Sequence, residues 1–127
     1  LGNAQIWGNV VNDHLKARAA EHTVITCEEV VPTEKIQEAP ELTRLPFDAV
    51  DAVVEVPFGC HPWHCYGEYY ADLPFYREYG LESTDREEFL DWLDEWIVPH
   101  EEYLEKVGAD RLAKLESMEQ TINGGTR

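Results

Sequence analysis

The run Val50-Asp51-Ala52-Val53-Val54-Glu55-Val56 constrains the fold more than any other stretch of the chain. Its β-branched residues are stiff at χ1 and fit a pleated surface better than a helix. Near-continuous apolar character suits a strand in a sheet covered on both faces. Pro57 has no N–H to extend a ladder, so the strand ends there. Thr23-Val24-Ile25-Thr26-Cys27 reads as another strand, bounded by polar residues. Before it, Asn12 or Asp13 caps a helix through Leu15, Ala17, Ala19 and Ala20, which are good helix formers. After it, a short helix over Thr33 to Gln37 is entered by Pro32 and closed before Pro40. With Ala4-Gln5-Ile6-Trp7 as the first extended run, the order is strand, helix, strand, helix, strand, then helices. That order belongs to the α/β class.

The last third reads as helical. Thr84 and Glu87 make a capping-box pattern. Phe89, Leu90, Trp92, Leu93, Trp96 and Ile97 recur at helical spacing, a stripe for a core or an interface between subunits. Pro99 opens a further helix, Gly108 interrupts it, and Leu112, Leu115 and Met118 carry an amphipathic pattern onward. The aromatics Tyr66, Tyr69, Tyr70, Phe75, Tyr76 and Tyr79 are expected to pack the intervening helix onto the sheet. Residues 1–122 form one expected domain and 123–127 a flexible tail. Because the chain opens on Leu1, it is expected to be a piece of a longer polypeptide.

Charge narrows the function. Twenty-six acidic residues face ten basic ones, a formal charge of −16. Such a surface repels phosphate backbones and anionic lipid, which argues against nucleic-acid or membrane partners. Carboxylates spread through most of the chain fit either a salt-adapted source or an ordinary acidic cytoplasmic protein. No apolar run approaches the ~20 residues needed to span a bilayer. Three cysteines, Cys27, Cys60 and Cys65, do not make a disulfide framework, and a reducing cytoplasm is the simpler setting.

Phe58 to Gly67 forms a loop just beyond a strand's carboxyl end, where open α/β sheets gather their ligands. Cys60-His61-Pro62-Trp63-His64-Cys65 places two thiols and two imidazoles in six residues. Their spacing lacks the usual zinc-ligand separations and Pro62 stiffens the loop, so no metal is expected. A cysteine–histidine nucleophile pair would need sulfur and imidazole in hydrogen-bond reach, which near neighbours rarely achieve. Glu55 reads as a structural strand-end carboxylate. Glu28 and Glu29 are adjacent on a strand and point to opposite faces, so they do not form a carboxyl pair.

Three stretches in register are more specific: Gly2-Asn3-Ala4-Gln5-Ile6-Trp7-Gly8; Val24-Ile25-Thr26-Cys27-Glu28-Glu29-Val30-Val31; and Val50 through Val56-Pro57-Phe58-Gly59-Cys60-His61-Pro62, followed by Cys65-Tyr66-Gly67-Glu68-Tyr69-Tyr70. In this order they resemble the C-terminal half of the α (A-type) subunit of glutaconate-type, family I CoA transferases, over residues 1 to about 80. The resemblance implies a partial NagB/RpiA/CoA-transferase-like sheet with flanking helices and a helical C-terminus. It also implies a hetero-oligomer with a β (B-type) subunit, and acyl-CoA and a carboxylic acid as substrates. Coenzyme A is then a substrate, and no cofactor is implied. The nucleophilic glutamate lies on the B-type subunit in this family, so no catalytic residue is expected here and the isolated chain is expected to be inactive. Asn3, Gln5, Gly59, His61 and Tyr66 are the expected substrate-binding positions. Cys60, where the family usually has a small residue such as alanine, and Trp63-His64 depart from the pattern in the expected substrate-facing loop. An acyl-CoA hydrolase on the same scaffold and a non-catalytic interaction module are the competing readings.

Overall fold

A computed structural model describes residues 2–82 and 84–124. The chain divides into two compact units, Leu1–Gly59 and Cys60–Arg127. Strands lie in the first, and the second holds the four longest helices among the described residues. The class is α/β, as the order of elements predicts.

In the first unit β1 (Ala4–Gln5), α1 (Asp13–Ala19), β2 (Val24–Cys27), α2 (Thr33–Glu38), β3 (Thr43–Leu45) and β4 (Ala52–Glu55) follow in order. Single 3₁₀ turns at Pro40–Leu42 and Phe47–Ala49 flank β3. β2 and β4 pair in parallel, Val24 opposite Ala52 through Cys27 opposite Glu55. The Asp51 N–H donates to Thr23 O at one end of this ladder, and the Val56 N–H to Cys27 O at the other. β1 pairs antiparallel with β3, with an irregularity between Ala4 and Gln5. The strands therefore form two two-stranded sheets.

One expectation is corrected here. β4 was expected to be covered on both faces, yet all four of its residues are exposed, Val53 at 42% and Val54 at 47%. The reason is local. α1 and α2 have seven and six residues and neither contains a buried one, so neither serves as a covering layer. The hydrophobic run records a demand for cover that the described residues of this unit do not meet.

The second unit comprises α3 (Leu73–Glu82), α4 (Arg86–Trp96), α5 (His100–Val107) and α6 (Ala109–Asn123). α4 starts one residue later than the capping-box pattern implied. Asp85 is its N-cap, and its carboxylate accepts from the Glu87 and Glu88 N–H groups at 2.8 and 3.2 Å. Asparagine and aspartate cap well because a short side chain reaches orphan N–H groups. Gly108, at φ +91°, separates α5 from α6, a backbone region that glycine enters without a Cβ clash. α6 runs through Asn123 and stops at Gly124 in the left-handed conformation. Residues 125–127 of the expected tail lie outside the described residues.

Aromatic rings fill the interior of this unit. Phe75 is 2% exposed and sits edge-on to Trp96 at 4.5 Å, with Trp92 at 5.9 Å and Tyr103 at 6.4 Å. Tyr79 meets Trp92 at 5.2 Å and Phe89 at 6.0 Å. Such edge-to-face pairs add about 0.5–1.5 kcal/mol beyond the area they bury. Phe75 and Tyr79 therefore pack α3 onto α4 and α5. Val107, Leu112 and Leu115 bury the seam of α5 and α6. No helix among the described residues is long and apolar enough to cross a membrane.

Candidate functional site

The carboxyl ends of β2 and β4 are cross-braced. Glu55, the last residue of β4, accepts the Val30 N–H beyond β2 at 2.8 Å. Reciprocally, Glu28 beyond β2 accepts the Phe58 N–H beyond β4 at 2.6 Å. Charge-assisted bonds of this kind are about twice as strong as neutral ones. They hold the turn in which the Gly59 N–H donates to Val56 O. Phe58 occupies the third position of that turn at φ +58°, where glycine or asparagine is usual. Gly59 cannot be larger, because a Cβ there would lie 2.8 Å from the Val56 carbonyl oxygen. Burial, then the charges of Glu55 and Glu28, raise the Cys27 thiol above its ordinary pKa, so it stays protonated.

Asn3 and Gln5, expected to contact substrate, both engage backbone. The Asn3 carbonyl accepts the Phe47 N–H at 2.8 Å. The Gln5 amide donates to Ile36 O at 2.8 Å and Ala39 O at 2.7 Å, adding a side-chain donor to carbonyls at the end of α2.

The boundary between the two units falls inside the loop singled out from sequence, so Gly59 belongs to the first, and His61 and Tyr66 to the second. The peptide bond between His61 and Pro62 is cis. The His61 side chain is fully buried. Its Nε2 lies 3.2 Å from Asp72 Oδ2 and its Nδ1 2.6 Å from the Tyr103 hydroxyl. A carboxylate only accepts, so Nε2 carries the proton and Nδ1 accepts from the tyrosine. Arg111 closes the set with a bidentate grip on Asp72, Nε to Oδ2 at 2.5 Å and Nη2 to Oδ1 at 2.8 Å. Asp72 also accepts the Phe75 N–H at 3.1 Å in the first turn of α3, and its own N–H donates to Pro62 O at 2.9 Å. One carboxylate thus ties the loop, α3 and α6 together, with α5 joined through Tyr103.

The electrostatics follow from that packing. Burial would raise the Asp72 carboxyl, but hydrogen bonds from Arg111, the Phe75 N–H and His61 outweigh it, and its pKa falls below the ordinary value. Burial lowers His61 more than the Asp72 carboxylate raises it, so the imidazole stays neutral. Tyr103 is pushed up to about 12, by burial first and by the Asp72 charge second. The tyrosine–histidine–aspartate chain looks like a nucleophile with its base. It is not built as one, since the phenol is held protonated and the imidazole has no exposed surface. His61 is placed to shape the loop, not to present its ring at the surface.

A second clamp holds the rest of the loop. Glu119 on α6 is 2% exposed and bonds His64 Nε2 at 2.7 Å, the Gly67 N–H at 2.8 Å and the Asn123 amide at 2.9 Å. Burial raises its carboxyl, and these bonds, led by the Gly67 N–H, bring it below the ordinary value. Tyr66 is 39% exposed, its ring 5.6 Å from that of His64. Both ring nitrogens of His61 are committed to Tyr103 and Asp72, and Nε2 of His64 to Glu119. His61 therefore has no ring nitrogen left to activate a neighbouring thiol.

Sequence reasoning missed Asp72, Tyr103, Arg111 and Glu119. Asp72 had a readable signal, an aspartate directly before Leu73-Pro74 at a helix start. The others sit on helix faces, and their partners are 39 to 55 residues away in sequence, beyond any local pattern.

No family model matches the chain. It is 42% identical over 118 residues to the A-type subunit of glutaconate CoA-transferase from Acidaminococcus fermentans, covering 91% of this chain and 37% of that protein. The A-type subunit of a 3-oxoadipate CoA-transferase from Pseudomonas knackmussii is 35% identical over 96 residues, 76% of this chain and 33% of the relative. An uncharacterized protein of Archaeoglobus fulgidus is 42% identical over 123 residues, 94% of this chain and 28% of that one. The crystal structure of glutaconate coenzyme A-transferase from Acidaminococcus fermentans superposes with a TM-score of 0.84 at 41% identity, over 90% of this chain and 37% of that one. Fold and sequence together make the chain a relative of CoA-transferase subunits. Within that class it is similar to the glutaconate type, matching the C-terminal part of the A-type polypeptide. The chain spans about a third of the length of the curated relatives it matches.

Proposed function

We propose that this chain is part of the A-type subunit of a heteromeric CoA transferase that moves coenzyme A from an acyl-CoA to a second carboxylic acid. A partner, the B-type subunit, supplies the attacking glutamate. In this reading the glutamate carboxylate attacks the thioester carbonyl, CoA thiolate leaves, and an acyl-glutamyl anhydride forms. The thiolate returns to the glutamyl carbonyl, releasing the first acid and leaving a glutamyl-CoA thioester. The incoming acid repeats the sequence in reverse and regenerates the glutamate. Covalent catalysis of this kind conserves the thioester's energy while dividing one difficult transfer into easier steps.

The observation that supports this most is the 42% identity to the A-type polypeptide of a glutaconate CoA-transferase across nine tenths of the chain. The local chemistry agrees. Glu28, Glu55, Asp72 and Glu119 are each bonded to backbone or side-chain donors, which suits walls and braces better than a nucleophile. Asn3, Gln5, Gly59, His61 and Tyr66 then set the substrate-facing loops, Asn3, Gln5 and His61 through the bonds described above. Both relatives with a named activity are transferases, which favours transfer over hydrolysis. The complete A-type polypeptide, assembled with its partner, should exchange CoA only when an acceptor acid is present, and neither polypeptide should do so alone. Release of free CoA without an acceptor would make the enzyme a hydrolase, and exchange by this chain alone would remove the proposal.

The reading carries a cytoplasmic setting, in keeping with three cysteines held as thiols. The charge of −16 further suggests a salt-rich one, where carboxylates keep the surface hydrated. Thermal melting in molar and in low salt should then show the higher midpoint in molar salt, and equal midpoints would remove this part.

A further inference from the structure

We propose that Cys60 and Cys65 form a redox-active dithiol, closing to an intramolecular disulfide under hydrogen peroxide and reopening under a thiol reductant. Their sulfurs lie within 4.8 Å of each other. Cys60 is exposed and Cys65 half-buried, so an oxidant reaches one thiol while the other waits beside it. One buried residue holds both. The Cys60 N–H donates to the Tyr69 hydroxyl at 2.8 Å, and Cys65 exchanges backbone bonds with Tyr69 at 3.1 and 3.0 Å. Tyr69 is 1% exposed, so this frame is fixed from inside the unit. The Trp63 N–H to Cys60 O bond at 2.8 Å folds the intervening residues into a turn. Sulfur–sulfur bonding needs about 2 Å, a closure that side-chain rotation and a small loop adjustment supply.

The atoms balance without help from the histidines. Cys60 thiolate attacks one peroxide oxygen, giving a sulfenic acid and one water after protonation. Cys65 thiolate then attacks the sulfenic sulfur, and the hydroxyl leaves as a second water. Two thiols lose two electrons and two protons, and one peroxide is reduced. The thiolate is the attacking form, so the reaction should quicken as pH rises. The disulfide would close a short loop at an exposed position, the kind that reductants open readily. In a cytoplasmic protein such bonds are transient and sensory.

Trypsin makes the test simple, because no lysine or arginine lies between Leu45 and Arg77 and both cysteines fall on one peptide. Cys27 falls on another and serves as the internal control. The full chain, in its complex, is treated with peroxide, blocked with a thiol alkylator, and digested. The expected product is the 45–77 peptide lighter by two hydrogens, unalkylated at both cysteines, and fully alkylated after prior dithiothreitol treatment. In C65S the same dose should instead drive Cys60 to sulfinic acid. Alkylation of both thiols in treated wild type would overturn the proposal. So would pairing with Cys27 or with a second chain, or sulfinic acid forming as fast in wild type as in C65S. These readouts are masses and do not depend on the transferase reading.

Discussion

Replacing Asp72 by alanine should destabilise the helical unit by about 3–5 kcal/mol, the loss typical of breaking a buried ion pair from one side. The residue is 1% exposed and serves three elements at once. Its removal leaves the Arg111 guanidinium without its bidentate partner, the His61 Nε2–H without an acceptor and the first turn of α3 without its cap. Denaturant unfolding of the full chain measures this. Three of its four tryptophans, Trp63, Trp92 and Trp96, lie in the helical unit and report on it by fluorescence. Asp72→Asn keeps an acceptor for the Phe75 N–H and should lose less. A loss under about 1 kcal/mol in the alanine variant, the size of an exposed pair, would contradict the account.

The same cluster sets a pH dependence whose sign is fixed. Asp72, Glu119 and His61 all titrate below their ordinary values in the folded chain. The unfolded chain therefore binds more protons wherever these groups titrate, and stability rises with pH there. The His61 contribution is complete above its unfolded value of 6.5 and declines as pH falls below it. The carboxylate contributions are complete above about 4 to 4.5 and are lost as pH falls through the folded values. At the alkaline end Tyr103 acts the other way, and stability should fall between pH 10 and about 12. Asp72→Asn should flatten the acid limb.

Phe75→Ala is the second large effect, at about 3–5 kcal/mol for an aromatic truncated in a close-packed interior. Phe75 touches the rings of His61, Trp92, Trp96 and Tyr103, and the Arg111 guanidinium lies 5.6 Å above it. Truncation would open a cavity between the aromatic core and the polar cluster, so both should weaken together. The double variant with Asp72→Ala should then depart from additivity by about 0.5–3 kcal/mol, the range for residues in contact. Additive losses, read from the same denaturation curves, would mean that core and cluster are independent.

Much of this architecture was legible along the chain. β-branching located β2 and β4 within two residues at each end, and Gly108 marked the break between α5 and α6. β3 and the two 3₁₀ turns were not legible, since three residues carry no periodicity. The run through Val53 and Val54 announced a buried strand, but a hydrophobic pattern states only that cover is wanted. It does not say which segment provides it, and in this unit the strand is exposed. The loop from Phe58 to Gly67 was legible as chemistry-bearing because His61, His64 and the two cysteines stand so close together in sequence. What those groups do was not legible. Three of the four imidazole nitrogens are bonded to Asp72, Tyr103 and Glu119, and only the folding of distant helix faces toward the loop reveals it.

The central claim is that this chain shapes a site while the attacking carboxylate belongs to its partner. It is tested most directly by incubating the assembled enzyme with acyl-CoA and locating covalently bound coenzyme by peptide mass. The account predicts the added mass on a glutamate of the partner polypeptide, with Glu28 and Glu55 of this chain unmodified. Coenzyme attached to either of those two residues would contradict it.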